Sequence, residues 1–333
     1  MNRLCIIEVM SDPARIRGFV FPVGAPPVPV NSWDALTLEN GGKGFVWIDL
    51  EGELESEAES ALASRMGWHP VVLQNIRQPN IRPRLTPFDD YNHLTLHIPS
   101  RDTLHEEGYL EVDVVLSGHY LATFHREPET GVDQLLEELS SSKTSPRSPD
   151  LLLYRLLSRA VEALAPTVDT MDDVLNVLEE DALYHPSPDL IERIVQARDE
   201  LFLLHLSLGP QLQVTHDLTS GTCRFITPYA RPYFKSLENR LRGLIDDIAI
   251  YKEVAQNILE LYRSAITQKT NEIIRVLTVV STPILVLSLF TGLYGMNVPL
   301  PFSNRPHVFI VMLGISVVTF LGMLWWFRRR QWF

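Results

Sequence analysis

Two apolar runs without a single charge, 276–294 and 308–327, close the chain and constrain it more than any other feature. Each is long enough, as a helix rising ~1.5 Å per residue, to cross a hydrocarbon core of ~30 Å. One such run could be a buried core helix. Two in tandem, with Arg328-Arg329-Arg330 after the second, read as a transmembrane hairpin.

The rest of the chain has a different character. All 41 Asp and Glu lie at or before Glu272, against 24 Lys and Arg in the same stretch, while residues 273–333 hold five Arg and no acid. An acidic body attracts cations and disfavours nucleic acid. Cys5 and Cys223 are the only cysteines, with no metal-type spacing, so neither a disulfide framework nor a zinc–cysteine site is expected. Leu4–Val9 is short and contains Glu8, so it is not expected to be a signal peptide. Lys269 and Arg275 flank the first run and the Arg triplet follows the second, whereas the loop between them carries Arg305 alone. The positive-inside bias then places both termini in the cytoplasm and makes the protein multi-pass.

Residues 1–145 are expected to form an α+β cytoplasmic domain. Leu4–Val9, Phe45–Leu50, Asn92–Ile98, Leu110–Leu116 and Tyr120–His125 have strand composition, and Ser117-Gly118-His119 reads as a hairpin turn. Leu54–Met66 and Val71–Ile76 read as helices. Residues 146–226 are expected to be helical after a connector over Ser140–Ser148: one long helix opens at Ser148-Pro149-Asp150 and runs towards Tyr184 with Pro166 as a kink point, and another runs from Pro188 to Leu208, where Gly209-Pro210 bends or interrupts it. A stalk helix follows over 227–275. Its apolar residues Leu237, Leu241, Leu244, Ile248, Tyr251, Ala255, Ile258, Tyr262 and Ala265 alternate by four and three, the pattern of coiled-coil-like packing. The first span (276–297), an external loop (298–307), the second span (308–327) and a basic tail (328–333) complete the chain.

Carried into the membrane, the same spacing passes through Asn271, Ile274, Thr278, Ser281, Leu285, Ser288, Gly292 and Gly295. Small and hydroxylated residues along one face usually mark helix packing. Asn271 at the foot of the stripe and Asn297 at its head favour a water-lined path. Two spans cannot enclose a pore, so a path requires several copies around an axis. His93 and His97, an even number of residues apart on a strand, can share a sheet face and are expected to be ordinary core histidines.

Gly295-Met296-Asn297 after a C-terminal span, Lys269-Thr270-Asn271-Glu272 entering it, and the aromatic-basic tail together resemble the CorA family of divalent metal-ion transporters, including its ZntB-like branch. The resemblance implies a funnel-shaped homopentamer whose first spans line the pore and whose second spans form an outer ring. It implies a selectivity filter at Gly295, Met296 and Asn297, and it puts Leu277 beside Ile274 and Leu285 as a hydrophobic constriction. Phe88-Asp89-Asp90-Tyr91 resembles an acidic-aromatic step of the family, and Tyr233-Phe234-Lys235-Ser236 a step whose last position can be an Asp of a regulatory metal site. Ser236 replaces that carboxylate, which leaves Asp89, Asp90, Asp246 and Asp247 as candidate regulatory metal ligands. The loop also lacks the Glu that family loops often carry.

No Asp, Glu, His, Lys or Cys lies between Val276 and Phe302. A relay for protons needs an ionisable group in the span, and zinc prefers nitrogen and sulfur ligands. Neutral oxygens suit a hard cation that keeps its water, as Mg²⁺ does. No catalytic triad, phosphate loop or dinucleotide fingerprint is visible, so the chain is not expected to be an enzyme or to hold a cofactor. The expected function is passage of hydrated divalent cations, Mg²⁺ first and Co²⁺ or Ni²⁺ after it, across a bacterial-type inner membrane. The alternatives are a ZntB-like Zn²⁺ transporter and a membrane-anchored sensor or binding module. The topology has a direct test. In a background lacking Cys5 and Cys223, a cysteine at Ser303 should react with an impermeant thiol reagent added to intact cells, and one at Gln331 should not.

Overall fold

The computed structural model describes residues 15–31, 44–54, 59, 62–64, 66–78, 82–98, 110–141, 145–221, 223–296 and 307–332. In chain order its elements are β1 (Arg15–Pro22), β2 (Val28–Val30), β3 (Gly44–Glu51), α1 (Pro70–Arg77), β4 (Arg84–Pro87), β5 (Asn92–Ile98), β6 (Leu110–Leu116) and β7 (Tyr120–His125). Five longer helices follow: α2 (Thr130–Ser141), α3 (Pro149–Tyr184), α4 (Pro188–Thr219), α5 (Arg231–Tyr294) and α6 (His307–Arg329). By contact density the chain divides into two compact units, one of residues 1–178 with 192–256 and the other of residues 179–191 with 257–333.

The first unit is built on a seven-stranded sheet in the order β2-β1-β3-β7-β6-β5-β4, with β3 and β7 parallel and all other neighbours antiparallel. Both faces of its centre are covered, so β5 is buried along its whole length. Alternation along the strands sorts the apolar residues into two cores. Trp47, Leu94, Leu96, Val112 and Val114 face Leu135 of α2, Leu152 of α3, Leu218 of α4 and Phe234 of α5. Val46, Ile48, Val115 and Phe124 face the other way, against Trp68 and the α1 residues Val72 and Ile76. At ~1.5–3 kcal/mol for each large apolar side chain removed from water, these two layers dominate the stability of the unit.

The expected strands over β3, β5, β6 and β7 and the turn at 117–119 are present, as is the helix over α1. His69 caps α1, its Nδ1 accepting from the Val71 N–H at 3.2 Å, and Pro70 needs no hydrogen bond at that position. Leu4–Val9 lies outside the described residues, and so does much of Leu54–Met66. Four elements were not foreseen: β1, β2, β4 and α2. β1 is anchored at Gly18, where a Cβ would collide with the Trp47 carbonyl oxygen across the strand pair. α2 fills 130–139, where no element was expected, and runs into the first two residues of the expected connector, held by buried Val132, Leu135 and Leu139.

Two proline expectations resolve differently. Pro166 sits inside α3 without ending it, as expected. Gly209-Pro210 neither ends nor interrupts α4, which continues to Thr219. The turns beyond Pro210 bury Val214 and Leu218 in the main core, and that burial outweighs the lost N–H. The stalk helix begins at Arg231 rather than Thr227, because Thr227 is spent on a clamp. The Asp150 carboxylate at the start of α3 accepts from the Thr227 N–H (2.8 Å) and Oγ1 (2.7 Å). The stripe of α5 is packed as expected: Leu237, Leu241, Ile248, Ala255 and Ile258 are buried, and Leu244, Tyr251, Tyr262 and Ala265 are half-buried. The first turns find partners within the same chain. Arg240 donates to Glu162 of α3 at 3.0 Å. Glu238 accepts from Lys235 at 2.9 Å and from Thr219 at 3.1 Å, and it pairs with His216 at 3.3 Å. Burial would raise the Glu238 pKa, but these partners push it down to about 2.

One buried polar group ties the sheet together. Asp49 is fully buried and accepts from Thr123 Oγ1 (2.6 Å), Arg17 (2.8 Å) and His125 Nε2 (3.1 Å). Arg17 also pairs with Glu51 (2.8 Å) and with Asp133 of α2 (2.6 Å), and His125 Nδ1 faces the Glu127 carbonyl at 2.6 Å. Burial alone would raise the Asp49 pKa, yet the bonds from His125, Thr123 and Arg17 hold it below its ordinary 3.8. Burial alone would lower that of His125, yet Asp49 holds it above 6.5. By linkage, the His125 contribution is complete below pH 6.5 and is lost as pH rises through its raised folded value. The Asp49 contribution is complete above pH 3.8 and is lost as pH falls through its lowered folded value. Asp49→Asn should therefore destabilise the body by about 3–5 kcal/mol. In thermal melts of the full chain it should also abolish the alkaline loss of stability that begins above pH 6.5.

Candidate ion pathway

α5 and α6 contain two segments long and apolar enough to cross a membrane. Their large side chains are left uncovered, among them Leu277 at 63%, Leu285 at 71% and Phe309 at 73% exposure. Apolar surface of this extent is not stable in water and matches a hydrocarbon surround.

Each span nevertheless has one sheltered row. On α5 it comprises Thr278, Val279, Thr282, Pro283, Val286, Leu287 and Phe290, and on α6 it comprises Met312, Ser316, Thr319, Phe320, Met323, Leu324 and Phe327. These positions recur every three or four residues, so each row is one helix face. The expected stripe lies elsewhere on α5. Asn271, Ile274, Ser281, Leu285, Ser288, Gly292 and Gly295 are exposed, as are Leu277 and Met296, and of the stripe only Thr278 reaches into the sheltered row. At 100° per residue the centre of the stripe is roughly 140° around the helix from the centre of the sheltered row. The neutral polar residues are thus left on the open side of α5.

Two of the stripe hydroxyls already use their hydrogens inside the helix, and so does Thr291 beside the stripe. Thr278 Oγ1 donates to the Ile274 carbonyl at 2.7 Å, Ser281 Oγ to Leu277 at 2.5 Å, and Thr291 Oγ1 to Ser288 at 3.1 Å. Such back-bonding satisfies the donor inside the helix and leaves the oxygen lone pairs outward. The stripe therefore presents acceptors, which suit the water shell of a cation. Pro283 removes one backbone donor, so the Val279 carbonyl lacks its usual partner. Both residues belong to the sheltered row, and the freed carbonyl is on that side rather than along the stripe. The helix runs through Pro283 unbroken.

At the end of the span the Gly295 N–H closes the last turn on the Thr291 carbonyl at 2.9 Å, and a Cβ at Gly295 would crowd that oxygen at 3.1 Å. A Cβ at Gly292 would meet nothing within 4 Å, so this glycine leaves open space beside the helix. Asn297 and Arg305 lie outside the described residues.

The candidate regulatory carboxylates are in the first unit. Asp89 and Asp90 form the exposed bend between β4 and β5, where Arg224 donates to the Asp89 carbonyl at 3.3 Å, and Asp246 and Asp247 are exposed on α5. The structure adds companions that spacing did not indicate. Burial raises the Tyr251 pKa, and the charges of Asp172, Asp247, Asp169 and Asp173 raise it further, so Asp247 and three aspartates of α3 all lie within electrostatic reach of this tyrosine. Among the described residues no group of three or more His, Cys, Asp or Glu is placed to hold a single metal ion. His93 and His97 do share a sheet face, and each has a carboxylate across the strand pair: His93 Nε2 is 2.8 Å from Asp113 and His97 Nε2 4.0 Å from Glu111.

A sheet body joined through one long helix to two apolar C-terminal spans is the architecture of a membrane-embedded ion transporter, not of an enzyme. Residues 42–329 match the CorA-like Mg²⁺ transporter protein family, and the chain belongs to it. It is 26% identical over 294 residues to the cobalt/magnesium transport protein CorA of Thermotoga maritima, covering 86% of this chain and 83% of that one. It is 22% identical over 268 residues to the zinc transport protein ZntB of Yersinia enterocolitica, covering 79% and 80%. Its fold is that of the complete CorA magnesium transporter from Methanocaldococcus jannaschii, with a TM-score of 0.80 over 97% of this chain and 99% of that chain at 24% identity.

The division of α5 into an open and a sheltered side makes a contrast that can be measured. Gly292→Leu, on the open side, should cut cation flux at least tenfold, or ~1.4 kcal/mol, while the protein still assembles and inserts. Thr282→Leu, on the sheltered side, should lower thermal stability and leave the flux of correctly assembled protein within a few fold.

Proposed function

We propose that the protein passes hydrated divalent cations, Mg²⁺ first, through a homopentameric pore lined by the open face of α5. The stripe of outward oxygens and glycine on that face carries the reading. Around a symmetry axis, Asn271, Ser281 and Ser288, with Thr278 at the edge of the face, offer neutral acceptors to the waters of a passing ion. Ile274, Leu277 and Leu285 form apolar constrictions that gate by dewetting. Gly295, Met296 and Asn297 form the filter, in which amide and backbone oxygens recognise an ion that sheds its shell reluctantly. The membrane is a bacterial-type inner membrane with both termini in the cytoplasm, and the ion's own electrochemical gradient drives its passage. A simple anchor would need neither the stripe nor the filter residues.

Two residues favour zinc as a second reading. Arg305 stands in a loop without acids, and Ser236 stands where a regulatory carboxylate would bind Mg²⁺. Against zinc, the stripe offers neither nitrogen nor sulfur ligands. Flux into liposomes containing only this protein, compared across Mg²⁺, Co²⁺, Ni²⁺ and Zn²⁺, separates the two. Mg²⁺ should enter fastest, and Asn297→Ala should remove most of the flux without dissociating the oligomer. Unchanged flux in an assembled Asn297→Ala protein would sink the filter assignment, and Zn²⁺ outpacing Mg²⁺ would establish the zinc reading.

A further inference from the structure

The basic tail beyond the second span is folded onto the end of α6. Gln331 has φ 57°, the one non-glycine residue with positive φ among the described residues. Its N–H donates to the Arg328 carbonyl at 3.1 Å, and the Trp332 N–H donates to the Phe327 carbonyl at 3.1 Å. These two bonds make the left-handed cap that commonly closes helices, usually on glycine. A glutamine here accepts a strained backbone, and the cap brings Trp332 back onto Phe327, with ring centroids 5.4 Å apart. Phe327 is buried, and Trp326 packs against its edge at 5.3 Å.

Two of the three arginines stack on neighbouring tryptophans. The Arg329 guanidinium lies 5.3 Å over the Trp325 ring and that of Arg330 lies 5.7 Å over Trp326. Stacking engages the flat face of a guanidinium and leaves its N–H edge free to donate, a geometry suited to paired phosphate oxygens. No Asp or Glu side chain follows Glu272 to compete for these donors within the spans or the tail. Val318, Leu321, Trp325 and Arg329 also share one helix face by spacing, and the first three are 71%, 56% and 62% exposed. The face thus offers an apolar track that ends in a tryptophan and a stacked arginine.

We infer that the capped end of α6 is a binding site for an anionic glycerophospholipid, with the headgroup phosphate on Arg328, Arg329 and Arg330 and an acyl chain along Val318, Leu321 and Trp325. A free phosphate would use only the arginines. A lipid uses the apolar track as well, and tryptophans sit naturally at headgroup depth. The site rests on the membrane reading of α6 and is independent of which ion the protein carries.

The test measures retained lipid, not flux. The full-length protein is incorporated into vesicles of equal parts phosphatidylglycerol and phosphatidylcholine and re-extracted. Its bound lipid is then counted by native mass spectrometry, and assembly is checked by size exclusion. Wild type should retain phosphatidylglycerol selectively, and each Arg→Gln change at 328, 329 or 330 should weaken retention about fivefold. Gln331→Gly keeps the left-handed cap and should retain lipid as wild type does. Gln331→Pro and Trp332→Ala, which break the cap but keep every charge, should lose most of the selectivity. If Gln331→Pro fails to assemble, Trp332→Ala and the arginine variants decide. Wild-type retention in the triple Arg→Gln protein overturns the site. Undiminished selectivity in assembled Trp332→Ala reduces it to unstructured charge and overturns the built site. Displacement of the lipid by inorganic phosphate, at a concentration equal to that of the lipid, overturns the lipid assignment in favour of a simple anion site.

Discussion

Hydrocarbon offers no hydrogen-bond partners, and everything in the C-terminal part of this protein follows from that constraint. The spans are helical because only a helix satisfies its backbone internally. The hydroxyls of Thr278, Ser281 and Thr319 turn back to carbonyls four residues earlier for the same reason. A span without charged groups then has oxygen lone pairs as its polar means of meeting an ion, and only on whichever side is left uncovered. On α5 that side holds the stripe. The chemistry of the proposed pathway is therefore a consequence of satisfied donors, with acceptors as the remainder.

The body meets the opposite demand: it must hold a very long helix by its first turns. Phe234 and Leu237 enter the main core, Glu238 gathers Lys235, Thr219 and His216, and Asp150 fixes the turn before the helix. The sheet beneath is braced at its centre by Asp49 with Arg17, Thr123 and His125. Buried charges of this kind are conditional assets, because removing one partner leaves another unpaired in a dry site. α5 is thus rooted through several partners, and the charges of Asp169, Asp172, Asp173 and Asp247 reach its Tyr251 a few turns farther on.

Where local chemistry and burial agree, sequence reading was accurate. β5, β6 and β7 are short, β-branched and bounded by turn residues, and their limits coincide with expectation. The reading was blind where the decisive partner is distant. Arg15, Arg17 and Gly18 do not announce a strand, because β1 exists through its pairing with β3 and through the Arg17 carboxylate cluster. Gly209-Pro210 looks like a break, but the core beyond it rewards continuation. Gln331 gives no hint of a helix cap, since the positive φ is stabilised by the Trp332–Phe327 contact it permits.

By itself the sequence determined that the chain has an acidic α+β body, a long helix and two spans without a charged residue. Composition and period suffice for this, since charge content decides what can enter a membrane and spacing decides which residues share a face. The tertiary structure decided which face of α5 is sheltered, which side receives the carbonyl freed by Pro283, which aspartates act on Tyr251, and how Arg329 and Arg330 are held. These depend on what lies opposite each residue. Opposition is created by packing between segments far apart in the chain, and a linear pattern does not contain it.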